Sequence, residues 1–364
     1  WESVQRFDLE GFQTEVVEAV SQVVKNARSH QALGEERRIL MLLGEPGAGK
    51  THLIVRELSK FDEPVFAALV FGPDNHIEFK PWFDRQLVLA LLKKRNGARS
   101  SLLALREKII ALTPRAMQQR IEKFSERLSE DRNFIAIQTA VNRAARHTSF
   151  GRIGKGLFYV ASKERSLADL ADELAQAAGI ADISGSRDFC AALLLLEGPM
   201  QTHAANWLLD NSVPASLESW RQEALNAPTP RSIVTIVSTI IEKLGGCLVV
   251  CFDQLERLAS GASDGSALGR LIKSAIQLLQ AHSNIAVIVS ALPDLYQQSL
   301  QYLDGAEKHR IGSSEPQTLA PLKPVQIPKF VAPRLEYLSR DAAHVEGVKL
   351  LDSFAGWMAQ QRML

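Results

Sequence analysis

Apolar residues recur at helical spacing across residues 8 to 30 (Leu9, Phe12, Val16, Val17, Val20, Val23, Val24), so the chain is expected to open on an amphipathic helix. Arg38 to Leu43 then reads as a short apolar strand, Gly44 to Thr51 as a glycine-rich turn, His52 to Phe61 as a helix and Val65 to Phe71 as a second strand. These strands are continuous apolar runs, the pattern of a parallel sheet buried on both faces. From residue 80 to 230 the pattern changes to helix after helix, with breaks near Asn96-Gly97, Thr113-Pro114, Gly151 to Gly156, Gly185 and Asn211 to Pro214. Strand patterns return at Cys247 to Phe252 and at Ile285 to Val289, with a helix over residues 265 to 282 between them. Strands alternating with helices predict an α/β fold built on a parallel sheet, here interrupted in sequence by a large α-helical block.

Composition adds little to this picture until charge is located. Of 364 residues, 46% are hydrophobic and 23% charged, which is ordinary globular composition, and the formal net charge of +1 singles out no class of partner. Residues 91 to 165, however, hold 17 Lys or Arg (beginning with Lys93, Lys94, Arg95 and Arg99) against 6 Asp or Glu. Arg115, Arg120, Lys123, Arg127 and Arg132 fall at roughly helical spacing there, the footprint expected of contact with a nucleic-acid backbone. The same stretch equally suits a solvated helical face or a dock for an acidic protein, and its sparse aromatics (Phe124, Phe134, Phe150) argue against a stacking platform for single strands.

Three cysteines, Cys190, Cys247 and Cys251, are too few for a disulfide framework and fit a reducing compartment, so the cytoplasm is the expected location. Cys247 and Cys251 sit in an apolar strand pattern with no second Cys/His pair at ligand spacing, and read as core residues. No apolar run approaches the ~20 residues of a membrane span, so no membrane partner is expected. The chain starts at Trp1 and stops inside a helical pattern at 348 to 364, as a module of a longer protein would.

The strongest chemical signal is Gly44-Glu45-Pro46-Gly47-Ala48-Gly49-Lys50-Thr51, which fits G-x-x-x-x-G-K-[ST] at every fixed position, with a strand pattern before it and a helix pattern after it. Glycines let successive backbone N–H groups curl round phosphates, and the helix N-terminus adds a positive dipole end. Lys50 is expected to reach the β- and γ-phosphates of ATP, and Thr51 to place its hydroxyl on Mg²⁺. A magnesium site needs a carboxylate on a neighbouring strand, and the run Cys247 to Phe252 ends in one, Asp253. The general base is open between two residues: Glu256, the nearest carboxylate, and Gln254, which can orient a water without taking its proton.

Gly44 to Thr51 followed by His52-Leu53, together with Asp253-Gln254-Leu255-Glu256 and the tail from Ser290 onward, resembles the AAA+ P-loop ATPases. The likeness is to their initiator and origin-recognition branch and to relatives among large prokaryotic defence ATPases. It covers residues 1 to 80 and 230 to 364. It implies an ATPase core at 1–80 and 230–325, a helical insertion at 81–229 and the start of a helical lid at 326–364. Ser290 resembles the polar residue that senses the γ-phosphate, and Arg310, in Lys308-His309-Arg310-Ile311, the arginine delivered to a neighbouring subunit's nucleotide. His52 would line the nucleotide site. Leu319 to Pro324 looks like the strand and turn leading to the lid, in which Arg334 takes the place of a lid arginine. The resemblance implies a homo-oligomeric, ATP-hydrolysing machine on DNA or RNA, in bacterial antiviral defence. A nucleotide-gated switch or scaffold that recognises a protein partner is the alternative, with slow turnover.

Overall fold

The computed structural model describes residues 13–29, 38–61, 64–71, 79–93, 100–130, 166–197, 200–210, 232–255, 265–312 and 315–320. The first strands and helices follow the hydrophobic pattern. Helix α1 (Thr14–Arg28) turns Val16, Val20, Val23 and Val24 inward, strand β1 (Ile39–Leu43) is buried along its whole length, and helix α2 (Lys50–Ser59) and strand β2 (Val65–Phe71) follow. The helical block supplies α3 (Phe79–Leu92), α4 (Ser101–Ala111), α5 (Arg115–Glu130), α6 (166–178), α7 (Ser186–Leu195) and α8 (Gln201–Asp210). The chain returns to the sheet through α9 (Ile233–Lys243), β3 (Cys247–Asp253), α10 (Ser266–Ala281), β4 (Ile285–Ala291), α11 (Pro293–Ser299), α12 (Gly305–Gly312) and β5 (Gln317–Thr318).

Among the described residues the strands form one five-stranded sheet, ordered β2-β3-β4-β1-β5, and every pairing is parallel. The α/β expectation therefore holds. Side chains alternate across the pleat, which sorts them between two layers. Leu40, Leu42, Val249, Cys251, Ala286 and Ile288 pack beneath α1 and α2. Ile39, Met41, Leu43, Phe66, Val70, Leu248, Val250, Phe252, Val287 and Val289 face the opposite layer, which contains α3, α9, α10 and the helical block. Both faces are covered, as the unbroken apolar runs require.

The helical block is joined to this second layer through its first helix. Phe79 and Phe83 of α3 stack at 5.4 Å, and both lie against Phe252 of β3, at 6.2 and 5.9 Å; Trp82 stacks on the same ring at 6.4 Å. One hydrophobic cluster continues from the sheet through α3 to Leu102, Leu174 and Trp207. No helix among the described residues is long and apolar enough to cross a membrane.

Three expectations need correction. The last strand is a two-residue pairing at Gln317–Thr318, ahead of the Leu319 to Pro324 run, with the Leu319 N–H donating to Leu43 O at 2.7 Å. Such a short strand has too few residues to show a hydrophobic period. His309, which the sequence suggests is a loop residue, lies with Lys308 and Arg310 within α12. The strand ending in Asp253 is not the neighbour of the strand that carries the glycine-rich turn: β4 lies between β1 and β3.

Candidate functional site

The glycine-rich turn links β1 to α2 at the carboxyl edge of the sheet. Gly44 is buried and its N–H donates to Ala291 O at the end of β4, 3.2 Å away, anchoring the turn to the adjacent strand. The Ala48 N–H closes back onto Glu45 O at 3.1 Å. Gly47 and Gly49 hold φ at 78° and 90°, values that side chains with a Cβ rarely adopt, and the space where a Cβ would stand is open at both. Gly49 is also the N-cap of α2 and, having no side chain, contributes no cap of its own. Glu45 and Pro46 are exposed and Ala48 is half-buried.

Lys50 is the first residue of α2 and is buried, with 8% of its surface accessible. Its Nζ donates to Gly44 O at 2.7 Å and to Glu45 O at 3.0 Å, so the ammonium is folded across the mouth of its own loop. Thr51 follows, and its Oγ1 donates to Asp253 Oδ2 at 2.5 Å. His52 is half-buried in the same first turn.

Strand alternation explains why these groups meet. Asp253 falls in phase with Val249 and Cys251, and Ser290 with Ala286 and Ile288, so both belong to the sheet face covered by α2. Ser290 pairs in register with Leu42 of β1, two residues before Gly44. It is fully buried, and its hydroxyl has no hydrogen-bond partner among the described residues. Buried hydroxyls are nearly always satisfied, because leaving one unpaired costs about 1–3 kcal/mol. At one strand edge, then, the structure assembles a glycine cradle, a buried lysine, a hydroxyl–carboxylate pair and an unsatisfied hydroxyl. Gln254 follows Asp253 in a left-handed conformation, φ 54°, and is half-buried.

Other expected residues lie elsewhere. The guanidinium of Arg310 donates from Nη1 and Nη2 to the Gln280 amide oxygen, at 3.0 and 3.2 Å, in the amide orientation that its surroundings require. Gln280 is next to the carboxyl end of α10, which leads into the amino end of β4, so this chain's own Arg310 is not part of the loop edge. Glu256 and Arg334 lie outside the described residues. Of the basic stretch, α5 exposes Arg115 and Lys123, while Arg120 is paired with Glu173 at 2.7 Å; most of its positive excess lies outside the described residues.

Asp84 was not singled out by the sequence. Its Oδ1 accepts from the Val234 N–H at 3.0 Å, so a carboxylate of α3 caps the first turn of α9, the helix that leads into β3. Burial raises its carboxyl to about 6, against the lowering effects of the Val234 amide and of Lys80. A lone acid in the apolar run Phe79 to Leu92 was the available signal. Burial likewise pushes the Cys190 and Cys247 thiols up to about 12, so both are inert core groups near neutral pH.

Among the described residues no cluster of three or more His, Cys, Asp or Glu could hold a metal ion. Comparisons with protein-family models, with curated proteins and with solved structures return no match to this chain.

Proposed function

We propose that this chain is a P-loop ATPase of the AAA+ type that binds Mg²⁺-ATP at the carboxyl edge of its sheet and hydrolyses it. The observation that carries the reading is the joining of Thr51 to Asp253: a motif hydroxyl and a strand-end carboxylate 202 residues apart in sequence share a hydrogen bond beside the glycine cradle. Magnesium keeps several waters and needs only one or two protein oxygens beside the phosphates, so this pair suffices without a larger acidic cluster. The open space at Gly47 and Gly49 and the unpaired Ser290 hydroxyl fit a phosphate chain laid over the loop. The interposition of β4 between β1 and β3 supports the reading, because it puts Ser290 between the loop and Asp253.

The residues have separable tasks. Backbone amides of the loop and of the first turn of α2 receive the phosphate oxygens. Lys50 exchanges its two loop carbonyls for the β- and γ-phosphates, and Thr51 and Asp253 hold the metal. Bound Mg²⁺ supplies charge neutralisation on the phosphates. Ser290 donates to a γ-phosphate oxygen. In a homo-oligomer, Arg310 would act on the neighbouring subunit's nucleotide once released from Gln280. The exposed Arg115 and Lys123 of α5 are the described part of the basic stretch that, in this reading, contacts DNA or RNA backbone.

The test is titration of the purified chain with a fluorescent ATP analogue and Mg²⁺, beside Lys50→Ala. The variant is expected to lose affinity by at least about 100-fold, the scale of a lost charge-assisted phosphate contact. Equal affinity in the two proteins would overturn the assignment. Steady-state hydrolysis with and without DNA or RNA, at low and moderate salt, tests the target: stimulation that fades with salt supports nucleic acid.

A further inference from the structure

Phe252 and Asp253 are neighbours on β3 whose side chains point to opposite faces of the sheet. The carboxylate meets Thr51 on one face, while the Phe252 ring is fully buried on the other, the side of the helical block. In the strand register Phe252 stands between Val70 of β2 and Val289 of β4, the residue before Ser290, so the sheet confines it on both flanks. Three rings of α3 cover it: Phe83, Phe79 and Trp82, with centres 5.9, 6.2 and 6.4 Å from its own. Phe79 also lies against Trp82, at 5.6 Å. The same helix has a second hold on this strand, because Asp84 accepts from the Val234 N–H at the start of α9, and α9 packs on β3 and leads into it. Within the block, α3 packs against α4 and α8.

We propose that the aromatic clamp of α3 on Phe252 positions Asp253 for Mg²⁺, so that the first helix of the helical block is a functional part of the metal site. The proposal rests on the P-loop reading above and deepens it by naming what aims the metal ligand. Phe79, Trp82, Phe83 and Phe252 are positioning residues: they lie on the face away from Thr51 and act through the backbone of Asp253. Interlocked rings at crystal-like density leave Phe252 no room to shift while the clamp is in place. One planar peptide links Phe252 to Asp253, so a displacement of the ring passes to the carboxylate. Mg²⁺ is more sensitive to such a displacement than Ca²⁺ is. It demands near-octahedral oxygens at about 2.0–2.1 Å, whereas Ca²⁺ accepts a looser shell at about 2.3–2.6 Å.

The test is the affinity of the 364-residue chain for a fluorescent ATP analogue, measured in EDTA and during titration with free Mg²⁺ or Ca²⁺. Phe252→Leu is expected to match the parent in EDTA and to need at least about fivefold more Mg²⁺ for half of the ion's effect, with a smaller change for Ca²⁺. Trp82→Leu is expected to do the same, and Trp82→Phe, which keeps a ring on Phe252, to stay near the parent. Phe79 is half-buried, so Phe79→Ala keeps the test open if the deeper changes prevent folding, with a rise in the same direction expected. Leu174→Ala, in the same hydrophobic cluster but on α6, is the control for general loosening and is expected to keep the parent's Mg²⁺ requirement. Folded clamp variants with the parent's Mg²⁺ requirement overturn the proposal. So does an equal rise in Leu174→Ala, or an equal loss of affinity in EDTA and in Mg²⁺, since neither singles out Asp253. A parent whose affinity ignores both ions overturns the metal reading of Thr51 and Asp253. A parent that binds no analogue under any of these conditions overturns the P-loop reading itself, and both results are distinct from failure of the clamp.

Discussion

The two ends of the sheet contain buried polar groups that differ in what they are bonded to; among the described residues each end also has one buried polar atom without a hydrogen-bond partner, Arg38 Nε and Ser290 Oγ. At the amino ends of the strands Arg38 is buried, and its guanidinium donates to three main-chain carbonyls: His282 O at 2.5 Å, Leu279 O at 2.8 Å and Ile285 O at 3.2 Å. It closes the carboxyl end of α10 and ties the start of β1 to the start of β4. Beside it, Asn284 and Ser238 satisfy one another, with Ser238 Oγ donating to Asn284 Oδ1 at 2.6 Å and Asn284 Nδ2 donating to Ser238 O at 2.8 Å. At the carboxyl ends, Ser290 is as deeply buried as Asn284 yet has no partner, and Lys50 is paired only with carbonyls of its own loop. Polar groups that complete each other brace the sheet. In the function proposed here, Lys50 and Ser290 at the other end would take up the phosphates.

Substitutions at the two ends should therefore separate stability from nucleotide binding. The largest stability effect is expected for Arg38→Ala, which strands several buried carbonyls and should cost about 3 kcal/mol or more in urea unfolding. Its folded fraction should still bind ATP, and loss of ATP affinity in that fraction would blur the contrast between the ends.

Next is Asp84→Asn. The folded carboxyl is raised to about 6 from an ordinary 3.8, so the native state binds the extra proton and the parent gains stability as pH falls from 7 towards 4. The amide keeps an oxygen for the Val234 N–H without the buried charge. Asp84→Asn should thus be more stable than the parent by about 1–2 kcal/mol at pH 8, a gap that closes by pH 5. A gap independent of pH would show that the charge is not the cause.

The smallest stability effect is expected for Ser290→Ala, unchanged or slightly stabilised, within about 1 kcal/mol, because it deletes an unsatisfied hydroxyl. The same change should lower ATP turnover. A loss of stability of several kcal/mol instead would show that Ser290 is a satisfied core group, and the two ends would then not differ.

Much of the fold was legible because the strands are unbroken apolar runs: Val65–Phe71 coincides with its predicted span, and Cys247–Asp253 adds one residue to its own. Their order was not. Nothing in an apolar run says which neighbour it will pair with, and β4 proved to be the strand between the loop and Asp253. The glycine-rich turn, Lys50, Thr51 and Asp253 were legible as a motif, and the structure brings Thr51 and Asp253 into contact. The state of Ser290 was not legible, since a hydroxyl's partners depend on tertiary neighbours. The left-handed backbone of Gln254, between the end of β3 and helical Leu255, was hidden because glutamine carries no turn signal.

The aromatic cluster of Phe79, Trp82 and Phe83 on Phe252 also bears on how this protein can be engineered. The helical block interrupts the sheet in sequence like an inserted cassette, but its first helix supplies the lid over the residue next to Asp253. Trimming the block back past residue 79 would uncover an aromatic face of β3, so a minimal version of this chain must keep α3 even if every later helix of the block is removed.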